Sequence, residues 1–181
     1  MSTWFRTYGF ADIEEGFFVG AYPLDEDDVA MLEWLEIDRL LNLVEDEEYR
    51  PGERDAVEAA LANAGIEEYR LSLTDFGELP APALEAAVQE ICQWLSEGRR
   101  TYVHCRAGWQ RSAAVAAGVV AVRHGLEIDD ALTYVQARKA SADPLPHQRQ
   151  DLRVWWELRS RRSRQEDPDA SASPPPADAA R

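Results

Sequence analysis

The stretch HCRAGWQRS, residues 104 to 112, sets an imidazole, a thiol, two guanidinium groups and a hydroxyl within nine positions. It follows the apolar run TYVH (101–104) and precedes an alanine-rich helical stretch, so Cys105 to Arg111 form a turn from a strand's carboxyl end into a helix's amino end. Open α/β sheets bind ligands at such turns, because unpaired backbone N–H groups converge there and the helix dipole adds positive charge. A thiolate is itself an anion. The same field therefore lowers the Cys105 pKa from about 8.5 to roughly 3.5–7.5 and makes the sulfur a standing nucleophile. Gly108 permits close backbone approach or a positive φ. Arg111 offers a planar fork that can grip two oxygens of a phosphoryl group.

The elements that must hold this turn follow from periodicity and breakers. Strands are expected at Phe17 to Gly20, Arg39 to Val44, 66–73 and 101–104. Between them run a helix carrying Val29, Leu32 and Leu35, one ending at Gly65, and one over 82–97. Three more helices are expected at Ser112 to His124, Asp129 to Ala140, and Pro146 to about Arg162, the last placing Trp155, Trp156 and Leu158 over one face of the sheet. This alternation implies an α/β fold with a central, mostly parallel sheet flanked by helices. Residues 1–162 form one domain in this reading, and the Pro/Ala/Asp-rich segment 163–181 is a disordered tail.

Composition excludes several function classes. With 34 acidic against 19 basic side chains the formal charge is −15, a field that repels polyanions, so no nucleic-acid partner is expected. Lys139 is the single lysine. Neither Cys92 nor Cys105 has metal-ligand spacing, and no metal or other cofactor is expected. Cys92 sits beside the apolar stripe of its helix and reads as core packing; its alternative is a thiol that forms a reversible disulfide with Cys105. No export signal or membrane-spanning run is evident, which predicts a cytoplasmic chain without a membrane partner.

The run H-C-R-A-G-W-Q-R-S resembles the phosphate-binding loop of the cysteine-dependent protein tyrosine phosphatases, and the short chain is most similar to their compact dual-specificity branch. The resemblance implies that Cys105 attacks phosphorus, Arg111 binds the phosphoryl oxygens, Ser112 hydrogen-bonds the departing thiolate, and His104 tunes the thiolate from behind the loop. The amides of Arg106, Ala107, Gly108, Trp109, Gln110 and Arg111 would contact the equatorial oxygens. It also implies a general acid, and Asp75 in LTDFGELP lies thirty residues before Cys105; Glu78 is the fallback. Gln148 would border the site. Trp109, at the rim, could stack on an aromatic substrate. The expected reaction is hydrolysis of a phosphorylated protein or small phosphomonoester through a phosphocysteine. The alternatives are a phospho-binding module without turnover and a phosphatase for an inositol lipid, RNA or nucleotide phosphate. Inositol lipids are disfavoured because phosphoinositide phosphatases that share this loop usually carry Lys where this chain has Arg106 and Trp109, although Arg106 alone keeps them possible.

Overall fold

The computed structural model describes residues 1–166. Five strands form one sheet: β1 (Phe10–Glu14), β2 (Phe17–Ala21), β3 (Arg39–Asn42), β4 (Glu67–Arg70) and β5 (Thr101–Cys105), in the order β1-β2-β5-β3-β4. Only β1 runs antiparallel, to β2; the pairs β2–β5, β5–β3 and β3–β4 are parallel. β5 is thus the middle strand, flanked on both sides, and all five of its residues are buried.

Side chains of these strands alternate between two cores, as the two-residue period of a strand requires. Phe18, Leu40 and Tyr102 face one layer, built from α1 (Thr3–Tyr8), α2 (Glu26–Trp34) and α3 (Glu53–Ala64). Val19, Leu41, Leu43 and Val103 face the other, built from α4 (Ala81–Ser96), α5 (Arg111–His124), α6 (Ile128–Arg138) and α7 (Pro146–Glu166). α5 is apolar nearly all round, and residues 111–121 are all buried, which is how a helix at the centre of a layer must read.

Several expectations need correction. α1 and the strand β1 were not anticipated, nor was the 3-10 turn Asp46–Glu48. α7 packs on other helices rather than covering the sheet: Trp155 is fully buried against Gly118 of α5 and donates to Glu85 of α4, while Leu158 is exposed. The helix also continues to Glu166, so the first four residues of the expected tail are helical; the rest of that tail lies outside the described residues. Cys92 is partly buried against the larger core, where burial pushes its thiol up, and both cysteines are free thiols. Among the described residues, no helix is long and apolar enough to cross a membrane.

Candidate active site

The turn from β5 into α5 is built so that its amides face inward. The carbonyl of Arg106 accepts from Tyr22 N–H (3.1 Å), and that of Trp109 accepts from Asp143 N–H (2.7 Å), which draws both oxygens away from the hollow. Gly108 has φ +73°, and a Cβ there would sit 2.6 Å from the Gly20 carbonyl; a Cβ on Gly20 would in turn meet the Tyr102 hydroxyl at 1.9 Å. Two glycines therefore let the loop lie directly on β2.

Cys105 is 3% exposed at the base of this hollow. Burial raises its pKa, but the Arg111 charge, the Ser112 hydroxyl (3.3 Å from Sγ) and the amides of Ser112 and Gln110 outweigh burial and hold the thiol below its usual range. The sulfur is thus disposed to be a thiolate. His104, behind it, places Nδ1 3.2 Å from the Cys105 carbonyl, and full burial, with the charges of Arg111, Arg54 and Arg70, pulls its pKa down to about 3. A neutral ring cannot shuttle protons near neutrality.

That shift has a thermodynamic consequence. In the unfolded chain His104 takes up a proton below about pH 6.5, while in the fold it stays neutral until about pH 3, so stability is lost as pH falls through that window. Urea unfolding at pH 6.5 and 4.5 should show His104→Gln losing about 2 kcal/mol less than the parent. Equal losses in the two proteins would remove His104 from the acid sensitivity.

Arg111 is fully buried and spoken for on most of its donors. Nη1 donates to Glu48 Oε1 (2.6 Å) and the Leu73 carbonyl (2.7 Å), with the Leu43 carbonyl at 3.3 Å, and Nη2 donates to Glu48 Oε2 (2.8 Å). Asp75 Oδ1 lies 3.0 Å from the same Nη2. The fifth donor, Nε, is buried and has no acceptor among the described residues. A phosphoryl oxygen seated over Cys105 would supply one.

Glu48 is a site residue that the sequence reading missed, as it did Tyr8 and Phe76 of the cleft lining. Burial would raise its pKa, yet the Arg111 hydrogen bonds, the Glu45 backbone and the charges of Arg111 and Arg106 keep it low, so it remains a carboxylate. It fixes the fork in one plane. Glu48→Gln keeps one acceptor and turns an amide against a guanidinium; kcat/KM should fall about 10- to 100-fold, mostly in KM, because the arginine is no longer preorganised. Unchanged steady-state kinetics would show that the loop orients Arg111 unaided.

Asp75 and Phe76 overhang the cleft from the loop after β4, and Tyr8 and Trp109 close its other side. Phe76 is 65% exposed with φ +57°, and Trp109 is 41% exposed. Arg106 lines the cleft too, its guanidinium donating to the Glu48 carbonyl (2.7 Å) and lying 5.3 Å from the centroid of the Trp4 ring and 5.7 Å from that of Tyr22. Glu78 is exposed and absent from the lining, so the fallback acid is not placed for the reaction. Gln148 is fully buried beneath the acid loop rather than in the cleft. It donates to the Gly77 carbonyl (3.0 Å), as His147 does at 3.1 Å, while Asp151 accepts from Leu79 N–H (2.9 Å). The start of α7 thereby anchors the loop that carries Asp75. Such an arrangement can attack a phosphomonoester with sulfur and hold its oxygens, with the Asp75 carboxyl in the lining of the same cleft.

Comparison with known proteins agrees with this chemistry. Residues 17–157 match the model of the dual specificity phosphatase catalytic domain. The rat protein named phosphatidylglycerophosphatase and protein-tyrosine phosphatase 1 is 32% identical over 92 residues, covering 50% of this chain and 48% of its own; the human protein of that name is 32% identical over 89 residues, covering 45% and 44%. The chain spans about half the length of the curated relatives it matches. A crystal structure of PTPMT1 superposes with TM-score 0.74 at 22% identity, covering 87% of this chain and 99% of that one, and PTPMT1 in complex with PI(5)P gives 0.74 over 85% and 98% at the same identity.

Proposed function

Because the chain belongs to the dual-specificity phosphatase family and is a cysteine-dependent phosphatase, we propose that its substrate is a phosphomonoester on a lipid headgroup rather than on a protein. The observation that carries this reading is the match to relatives named phosphatidylglycerophosphatase, and a protein of the same fold has been captured with PI(5)P. The cleft supports it. Exposed Phe76 and Trp109, with Tyr8, ring a mouth that opens onto a buried cation and thiolate, a pairing that suits an amphiphile with an apolar body and an anionic tip. These relatives favour the lipid alternative over the protein substrate that the sequence alone put first.

In this reading the Cys105 thiolate attacks phosphorus as the phosphorus–oxygen ester bond breaks, and Asp75 delivers its proton to the departing alkoxide. Arg111 and the amides of residues 106–111 hold the equatorial oxygens through both steps. A water then attacks the phosphocysteine, Asp75 takes its proton, and the thiolate departs with the Ser112 hydroxyl donating to it.

An alkoxide is a strong base, so proton delivery matters most for a glycerol or inositol phosphate. Asp75→Asn should lower kcat/KM, which reports only the first step, roughly 10²-fold on an alkyl phosphate and only a few-fold on p-nitrophenyl phosphate, since nitrophenolate leaves without help. Equal losses on both would take Asp75 out of the proton transfer.

The substrate class is tested by phosphate release from phosphatidylglycerophosphate and phosphatidylinositol phosphates in neutral mixed micelles, against phosphotyrosyl and phosphoseryl peptides. The lipids should exceed the peptides in kcat/KM by at least about tenfold. Peptides equal to or better than lipids would return the reading to a protein phosphatase, which the second half of the relatives' name also describes.

A further inference from the structure

Lys139 is the single lysine in a chain with 19 basic residues, and it is only 6% exposed. It lies at the end of α6. Its ammonium donates to the Tyr8 carbonyl (3.2 Å) and the Ser141 hydroxyl (3.0 Å), and no carboxylate lies within 4.0 Å of it among the described residues. A buried cation served by neutral oxygens alone is costly, and an apolar side chain of the same length would fill the space more cheaply. Burial accordingly pulls its pKa down, with the Cys105 charge acting the other way. The thiolate's field favours the charge, and the hydrogen bonds show what the ammonium holds.

What it holds is the last residue of α1, whose carbonyl has no partner inside its own helix. The ring of Tyr8 meets that of Trp109 edge-on, with centroids 5.1 Å apart, and both rings line the cleft. The turn that follows Lys139 also holds the main chain of Trp109. Ala142 N–H closes the turn on the Lys139 carbonyl (2.8 Å), and Asp143 N–H donates to the Trp109 carbonyl (2.7 Å). Residues 139–143 thus brace both members of one wall, Tyr8 through an ammonium and Trp109 through an amide.

We propose that Lys139 is a positioning residue for substrate binding, seating Tyr8 against Trp109 as the wall that receives the organic group of the phosphomonoester. The proposal does not depend on which phosphomonoester is natural, because any ester with a bulky group must pass this wall. Nor does it place Lys139 in the chemistry.

The test uses the full chain and separates the wall from the phosphate cradle. Lys139→Met keeps length and removes charge and donors. It should raise KM for p-nitrophenyl phosphate about 5- to 10-fold, with kcat within about twofold and inhibition by orthovanadate unchanged, since vanadate touches only the loop. Tyr8→Ala should raise KM in the same way, and the double variant should be no worse than Tyr8→Ala alone, because Lys139, bonded to the main chain of residue 8, acts on the substrate only through the ring it seats. Lys139→Gln, which keeps a donor, should show a smaller rise and gives a second reading if the Met variant folds poorly. An unchanged KM in both Lys139 variants, additive effects in the double variant, or a joint loss of kcat and vanadate affinity would each overturn the proposal.

Discussion

Cys105→Ser is expected to abolish turnover, with kcat down by about 10⁴ or more, while inorganic phosphate binds as tightly as before or more tightly. The reason lies in what the site stabilises. Arg111, the Ser112 hydroxyl and two amides favour an anion at Sγ and hold the thiol low, but a serine hydroxyl is far too weak an acid to ionise under the same influence. The cradle itself is untouched, since its amides are oriented by Tyr22, Asp143 and the two facing glycines. Removing the sulfur's charge also removes repulsion toward a dianion. Phosphate release assays and isothermal titration with phosphate check both halves; residual turnover near the parent rate would mean that the nucleophile is another group.

Arg111→Lys should cost roughly 10³ in kcat/KM even though the charge is preserved. An ammonium has three donors and no plane. It cannot span both oxygens of Glu48, reach the Leu73 carbonyl and still keep a donor in reserve, as the guanidinium does with Nε among the described residues. The Cys105 thiolate keeps the charge that favours it most, so the pH midpoint for alkylation by iodoacetamide should stay below the ordinary thiol range in this variant. Retention of most activity would show that a point charge suffices.

The fold and the reactive loop were legible for a physical reason: both are written in contiguous sequence. The TYVH run, the glycine in the turn and the small residues of α5 lie side by side, and a strand-to-helix turn needs no distant partner to be recognised. Asp75 was reachable through its spacing to Cys105. Glu48 was not, because the acidic loop offers Glu45, Asp46, Glu47 and Glu48 in a row, and only the packing of that loop beneath Arg111 selects one. The demand was visible all the same: an arginine destined for burial needs a carboxylate. Gln148 and Asp151 act on the acid loop from more than 70 residues away, a relation that periodicity does not carry. α1 is six residues long, and β1 is short, mostly polar on its outward side and irregular between Asp12 and Glu14, so neither gave a repeating apolar signal. Leu158 was misplaced because α7 turns its apolar stripe toward α4 and α5 and not toward the strands.

Gly108 rests on Gly20 with main chain against main chain, which leaves no room between loop and strand for a side chain at either position. The dimensions of the oxyanion seat are therefore frozen by peptide geometry, and selection can adjust this protein only from above. Diversification toward other phosphate esters should run through exchanges at Tyr8, Phe76 and Trp109, leaving the hydrolytic apparatus as an inherited constant.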